Sequence, residues 1–423
     1  MNPHLAERLA LVTVALALVA GACAANDGRS PEVVTVFGNQ RGADADALRS
    51  VFDRFESETG IEVRFTGSAS FPTAMRERVE EGNAPDIGFF PQPGLLKDLA
   101  TSGYVEPLRD DVAQIASSSL LPSLSDAFGS SGDIPGFLFQ VNVKSLVWYS
   151  PDAFAAYGYD VPATWDALKD LTQRISADGS NPWCLGVSAF RASGWPATDW
   201  VEDIVLRDSG TAAYDSWVAG DLAFTSEPIG SAFAGFGNMT LEAGSSDRDR
   251  RGILNTSPAA AQDSMFTDPP GCFMYKMASF QRSNLPSGME IGPDGGVDVF
   301  LLPGSSNESA PILIGGTVAA AFNDSDATWE LMRFLATPQA GTAWAERGGF
   351  ISPHTDFDSG AYRDDFDRRM ASLLADADIV RFDGSDLMYS PVGTRSFFDA
   401  MVLFIGTDLR EAAQQMAEDG YDR

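Results

Sequence analysis

Histidine is almost absent from this chain of 423 residues: there are two, His4 and His354. That excludes nucleophilic catalysis built on several histidines, and no cysteine–histidine cluster has the spacing a zinc ion needs. Positive charge is scarce as well. Lysine and arginine together number 29 against 59 acids, a net charge of −30, and only four residues are lysines. The acids are scattered rather than run together, which describes a solvated acidic surface and argues against nucleic acid as a partner. Long apolar runs are missing too. Beyond residue 22 none approaches the length that spans a bilayer.

What is present begins with an export pattern. Arg8 precedes an apolar run, Leu9 to Ala20, and Ala20-Gly21-Ala22 stands directly before Cys23. At about 12 residues the run is too short for a membrane span and reads as a secretory signal over residues 1–22. Small residues ending at a cysteine resemble the lipobox of bacterial lipoproteins. That resemblance implies a lipid on Cys23 and an anchor on the outer face of the cytoplasmic membrane. A plain signal cut near Ala22 or Ala25 is the alternative. Residues 23–30 are small and polar, as a flexible tether would be. Of the three cysteines, Cys23 is then assigned to lipid and Cys184 with Cys272 to a disulfide; two free thiols are the alternative.

The remaining length exceeds one compact core, so two domains are expected. Glu32 to Phe37 alternates as a strand, and Leu48, Val51, Phe52 and Phe55 follow at helical spacing up to Gly60. Ile61 to Thr66, a helix entered at Pro72, Asp86 to Phe90 and a helix with Leu95, Leu96 and Leu99 continue the alternation. This predicts an α/β fold with a parallel sheet, whose ligands bind beyond the carboxyl ends of the strands. Those ends carry Gly38-Asn39-Gln40-Arg41-Gly42 and Pro91-Gln92-Pro93-Gly94. Residues 117–136 read as a surface loop. Gly136 to Tyr149 is an extended run and the first crossing between domains, with Lys144 expected to hold the crossing rather than a ligand. A helical domain follows, and strand signal returns from Val297. Gly315-Gly316-Thr317 inside a strand pattern weakens the strand unless its backbone must approach something closely.

One stretch organises the rest: Gly194-Trp-Pro-Ala-Thr-Asp-Trp-Val-Glu-Asp. Pro196 fits a helix start, and Trp200, Val201, Ile204 and Val205 recur at core spacing. Trp195 stands just before the first turn and Asp199 within it, where a carboxylate suits the helix dipole. A flat aromatic face beside an oriented carboxylate is what a polyhydroxylated ligand needs. Read alone, the same pair also fits a core tryptophan and a solvated acid.

Taken with Ala84-Pro-Asp-Ile-Gly-Phe-Phe-Pro-Gln-Pro-Gly, Pro182-Trp-Cys, Pro269-Pro-Gly-Cys272, Ile314-Gly-Gly-Thr, Ala343-Trp-Ala-Glu-Arg-Gly-Gly-Phe-Ile-Ser-Pro and Arg381-Phe-Asp-Gly-Ser-Asp-Leu-Met, the chain resembles the extracellular solute-binding proteins of bacterial carbohydrate ABC importers. It is most similar to the α-glucoside-binding group. The resemblance implies a two-lobed periplasmic-binding-protein-like fold with a ligand cleft between lobes joined by crossing strands. Residues 31–141 plus 311–345 form lobe 1 and 142–310 plus 346–423 lobe 2. It implies a carbohydrate ligand, permease partners, a monomer and no cofactor or metal. Asn39, Gln40, Gln92, Trp195, Asp199, Gly316, Thr317 and Asp386 are expected in one cleft, with Phe90, Phe350 and Phe397 as further aromatic walls. The competing readings are a polyol or polyamine receptor, a glycosidase using two carboxylates, and a surface adhesin or sensor. Nothing resembling a hydrolase motif accompanies the acids. Metabolic labelling with a clickable fatty acid should mark the wild type and not Cys23→Ala; equal labelling of both would reject Cys23 as the lipidation site.

Overall fold

The structure is a computed structural model that describes residues 32–129, 134–242, 244, 246, 248–304 and 310–422. The signal, the tether and Cys23 lie outside the described residues. Among the described residues nine strands form two sheets. The first holds β1 (Val33–Gly38), β2 (Glu62–Gly67), β3 (Ile87–Phe90), β4 (Phe137–Val143), β8 (Ile312–Ala321) and β9 (Val380–Phe382). The second sets β5 (Leu146–Tyr149) between β6 (Met274–Lys276) and β7 (Asp298–Leu301). The chain is thus an α/β protein, with helices packed on both faces of its larger sheet.

β1 pairs in parallel with β2 and β3, as the βαβ alternation predicts. The first helix, Ala43–Thr59, buries Leu48, Val51, Phe52 and Phe55, and stops at Gly60, whose left-handed backbone lets its N–H close on Glu56. The sheet is nevertheless mixed. β8 runs antiparallel to both β3 and β4, because it returns from the other sheet rather than through a crossover helix. Residues 117–129 also differ from the surface-loop expectation: Leu121, Leu124 and Ala127 are buried.

Two short connections link the sheets. β4 passes into β5 through Lys144 and Ser145, and the chain comes back between β7 and β8. They are tied to each other: Lys144 N–H donates to Leu313 O at 2.8 Å and Leu302 N–H to Ser145 O at 2.8 Å. Both are tied to the Trp195–Asp208 helix. Ser145 Oγ donates to Asp203 at 2.6 Å, and Arg207 donates to the carbonyls of Leu302, Pro303 and Pro311. Gly316 sits where β8 crosses β4, and a Cβ there would run into the Gln140 carbonyl. This is the close approach that a glycine inside a strand signals. No helix among the described residues is long and apolar enough to cross a membrane.

Cys184 and Cys272 are joined as a disulfide, both buried, with Cα atoms 5.3 Å apart. The bond fastens the strand-like segment at Cys184, whose N–H donates to Met274 O at 2.8 Å, to the chain entering β6. It closes a loop of 88 residues, for which the chain-entropy model gives about 4–5 kcal/mol. The Cys184→Ser, Cys272→Ser double variant should therefore melt well below the wild type. Peptide mapping without reductant should recover the linked pair; two alkylatable thiols in the folded protein would contradict it.

Candidate functional site

The carboxyl ends of β1 and β3, the middle of β8 and the start of the Trp195–Asp208 helix converge on one cleft of about 550 Å³. Gly194, with φ of 105°, turns the chain into that helix, and Trp195 and Pro196 are its first two residues. The helix is buried on almost every side, so its polar residues must find partners inside the protein. Trp195 itself stays half-buried, with its ring 6.0 Å from that of Phe280 at 52°.

Beneath the cleft floor sits a charged cluster. The Lys144 ammonium lies 3.2 Å from Asp199 and 3.8 Å from Asp386, and bonds Asp383 more tightly still. It also stands 5.6 Å from the centre of the Trp195 ring. Glu202, one turn below Asp199, accepts the backbone N–H groups of Gly384 and Ser385 at 2.8 and 3.1 Å. One oxygen each of Asp199, Glu202 and Asp383 falls within 4.8 Å of the others. Among the described residues these three are the ones grouped closely enough to hold a metal ion, and the Lys144 ammonium already supplies a cation beside them. So many carboxyls cannot all be ionised around one ammonium. Burial raises Glu202 and Asp386 well above the usual carboxylate range, and pushes Asp199 up to about 7. Burial acts on Asp383 too, but there the Lys144 charge wins and holds it ionised. Lys144 loses solvation by burial and gains more from Asp199, Asp383, Asp386 and Glu202, so its ammonium is firmly charged.

Above this floor the lining is mainly neutral and polar, with Arg41 and Asp44 as its further charged members. Asn39, Gln40, Gln92, Gln140, Asn142 and Asn284 bring side-chain amides, and Thr317, Ser283 and Ser385 bring hydroxyls. Gln40 Nε2 donates to Thr317 Oγ1 at 3.2 Å, while Gln40 Oε1 and Gln92 Oε1 are buried without a hydrogen-bond partner. Both residues line the cleft, and these two acceptors are left unsatisfied by the protein's own donors.

The cleft brings together Asn39, Gln40, Gln92, Trp195, Asp199, Gly316, Thr317 and Asp386. It does not include the three phenylalanines. Phe90 is fully buried, with its ring 5.2 Å from Phe71 and 5.8 Å from Phe322. Phe350 fills the core beside Phe139 and Trp344, and Phe397 packs among Trp217, Phe224 and Phe233. Each is core, and the aromatic walls are Phe280, Trp344 and Phe398 instead. Gln140, Asn142 and Lys144 were missed as cleft residues although β4 and the residue just after it display them. They are the polar members of an otherwise apolar strand at every second position, which places them on one face.

The proton shared in this cluster has a measurable consequence. Asp199 titrates near 7 when folded and near 3.9 unfolded. The folded state therefore binds more protons between those values, and stability from this group is lost as pH rises toward 7. Urea unfolding of the wild type should weaken from pH 5 to pH 8 relative to Asp199→Asn, by on the order of 2 kcal/mol. Parallel curves for the two proteins would show that Asp199 holds no such proton.

Comparison with known proteins agrees with this geometry. Residues 41–342 match the family model for bacterial extracellular solute-binding proteins. The chain is 37% identical to the osmoprotective compounds-binding protein GgtB of Synechocystis over 90% of each chain. It is 34% identical to the alpha-glucosides-binding periplasmic protein AglE of Rhizobium meliloti, over 89% of this chain and 84% of that one. Among solved structures, the bacterial solute receptor AcbH superposes with a TM-score of 0.76 at 17% identity, covering 93% of this chain and 99% of its own. AcbH thereby shares the two-lobed fold. The chain belongs to the bacterial extracellular solute-binding proteins, the substrate-binding components of ABC importers, and is not an enzyme.

Proposed function

We propose that the cleft captures a sugar, an α-glucoside or a short oligosaccharide, and delivers it to the permease of an ABC importer. The observation that carries this reading is the lining itself: a Trp195–Phe280 aromatic pair faces neutral amides, two of which keep an oxygen without a donor. A pyranose offers the matching surface, an apolar C–H face for the rings and hydroxyl donors for the amides. AglE, named for α-glucosides, supports the finer assignment. A compact polyol is the second reading, favoured by the likeness to GgtB, named for osmoprotective compounds. A polyamine fits poorly, because Asp199 and Asp386 already face the Lys144 ammonium. In this proposal residues 31–141 with 311–345 and residues 142–310 with 346–423 are the lobes that close on the ligand. A lipid on Cys23 holds the monomeric receptor at the membrane.

A thermal-shift screen of glucosides, oligosaccharides, polyols and polyamines should show stabilisation by the first two classes. Ligand at 100 times its Kd adds about 2.7 kcal/mol, several degrees in Tm. Trp195→Ala should then bind the selected sugar about 30-fold more weakly with little change in ligand-free Tm, since the residue is only partly buried and lines the cleft. A large loss of Tm with unchanged affinity would place Trp195 in the core and remove it from the site.

A further inference from the structure

Arg282 does not line the cleft, yet three of its neighbours do: Phe280, Ser283 and Asn284. All four belong to the short 3₁₀ segment Ser279–Asn284. A segment of that length makes too few bonds of its own to hold a wall in place. Its ends are pinned from outside. Ser279 Oγ accepts the Val143 N–H at 3.2 Å, and Gln262 Nε2 donates to the Asn284 carbonyl at 2.8 Å. Its middle is pinned by Arg282.

The Arg282 side chain is 14% exposed and grips two carboxylates. It donates to Asp364 at 2.6 and 3.3 Å and bonds Asp367 more tightly still. Asp367 is fully buried, and its second oxygen accepts the Gly349 N–H at 3.0 Å. The Gly349 carbonyl in turn accepts Gln140 Nε2 at 3.3 Å. Gln140 and Gly349 both line the cleft. The path thus leaves the cleft at one wall, runs through Arg282 and Asp367, and returns to it at an amide of β4.

The backbone is shaped for this path. Gly348 and Gly349 have φ of 94° and 88°, a region that L side chains rarely adopt. A Cβ on Gly348 would also stand 2.9 Å from Arg282 Nη2. The glycine pair therefore lets the guanidinium come up against the turn that carries the Gly349 carbonyl. A buried ion pair adds little net stability over apolar packing; its better-attested use is to hold one geometry among several. Here the pairing joins two parts of the cleft lining that belong to no common strand or helix.

We propose that Arg282 is a positioning residue of the ligand site: it touches no ligand itself and sets the spacing between the Phe280–Asn284 wall and the Gln140 amide. This rests on the carbohydrate reading of the cleft. A sugar whose C–H face meets the wall holds its hydroxyls at a fixed depth, so the amide must stand at the matching distance.

Losing Arg282 alone would strand Asp367, so the test removes the charges together. The triple variant Arg282→Met, Asp364→Asn, Asp367→Asn keeps an acceptor for the Gly349 N–H and should melt close to the wild type. Calorimetric titration uses the tightest binder among maltose, trehalose, sucrose and methyl α-glucoside. The triple variant should bind it roughly tenfold more weakly than the wild type. In a Gln140→Ala background the same three changes should cost less than about twofold, because the path then ends at no amide. Arg282→Lys keeps the charge and loses the fork that holds two carboxylates. It should show the same dependence on Gln140 with a smaller loss, and it decides the matter if the triple variant melts far lower. Unchanged affinity of both variants overturns the proposal. So does an equal loss with and without Gln140, which is the result expected of a residue that serves the fold alone. A wild type that binds none of the four sugars is seen before any variant is compared; it discards the carbohydrate reading and this inference with it.

Discussion

The Lys144 ammonium is the charge on which this architecture depends. It sits in the two-residue passage between the sheets, fully enclosed, with Asp199, Asp383 and Asp386 around it. Removing one partner of a buried ion pair costs roughly 3–5 kcal/mol, because the other charge is left without compensation. Here Asp383, the carboxylate that Lys144 holds ionised, would be stranded inside the protein. The surrounding residues are chosen to fit it: a Cβ at Gly315 would stand 2.9 Å from the lysine's Cε. One side chain thus fixes the crossing, the floor of the cleft and the face of Trp195.

A second ionic layer lies along the same helix. Asp199, Asp203 and Arg207 follow at four-residue intervals, so they share one face and point in turn at Lys144, Lys276 and the return crossing. Lys276 reaches Asp203 at 2.8 Å and also donates to the Asp199 carbonyl at 3.1 Å. The helix carries its charges inside the protein, against the usual polarity of a helix surface. This is how it links the cleft at its first turn to the two connections between the sheets at its last.

The strands, the first helices and the strand-end loops were legible because period two and period 3.6 are strong signals over whole elements. So was the helix start at Trp195. The aromatic walls were not, for a physical reason. Phe397 and Phe398 are neighbours at the start of one helix, about 100° apart around its axis. One fills the core and the other meets the cleft, and composition cannot set that phase. Phe89 and Phe90 are both buried because the sheet is covered on both faces, so alternation carries no inside or outside there. Phe280, Ser283 and Asn284 come from a short 3₁₀ segment without periodicity. The ionic role of Asp199 was hidden as well, since its partner lies 55 residues away.

A net charge of −30 and a cleft for a neutral solute are compatible only if the two are kept apart. A neutral ligand is neither steered nor repelled by the field of the surface, so the acids outside are free to maintain solubility. Inside, a bare carboxylate would attract cations in place of the ligand. The cluster prevents this by pairing Asp199 and Asp386 with Lys144 and by holding protons that burial favours. In the proposed site, what distinguishes one solute from another is the pair of acceptors that no protein donor satisfies, the oxygens of Gln40 and Gln92. A solute that brings hydroxyls to both removes two desolvation penalties at once, and one that brings methyl groups leaves both in place. On this proposal, selectivity for hydroxyls follows from acceptors that the protein's own donors leave unsatisfied.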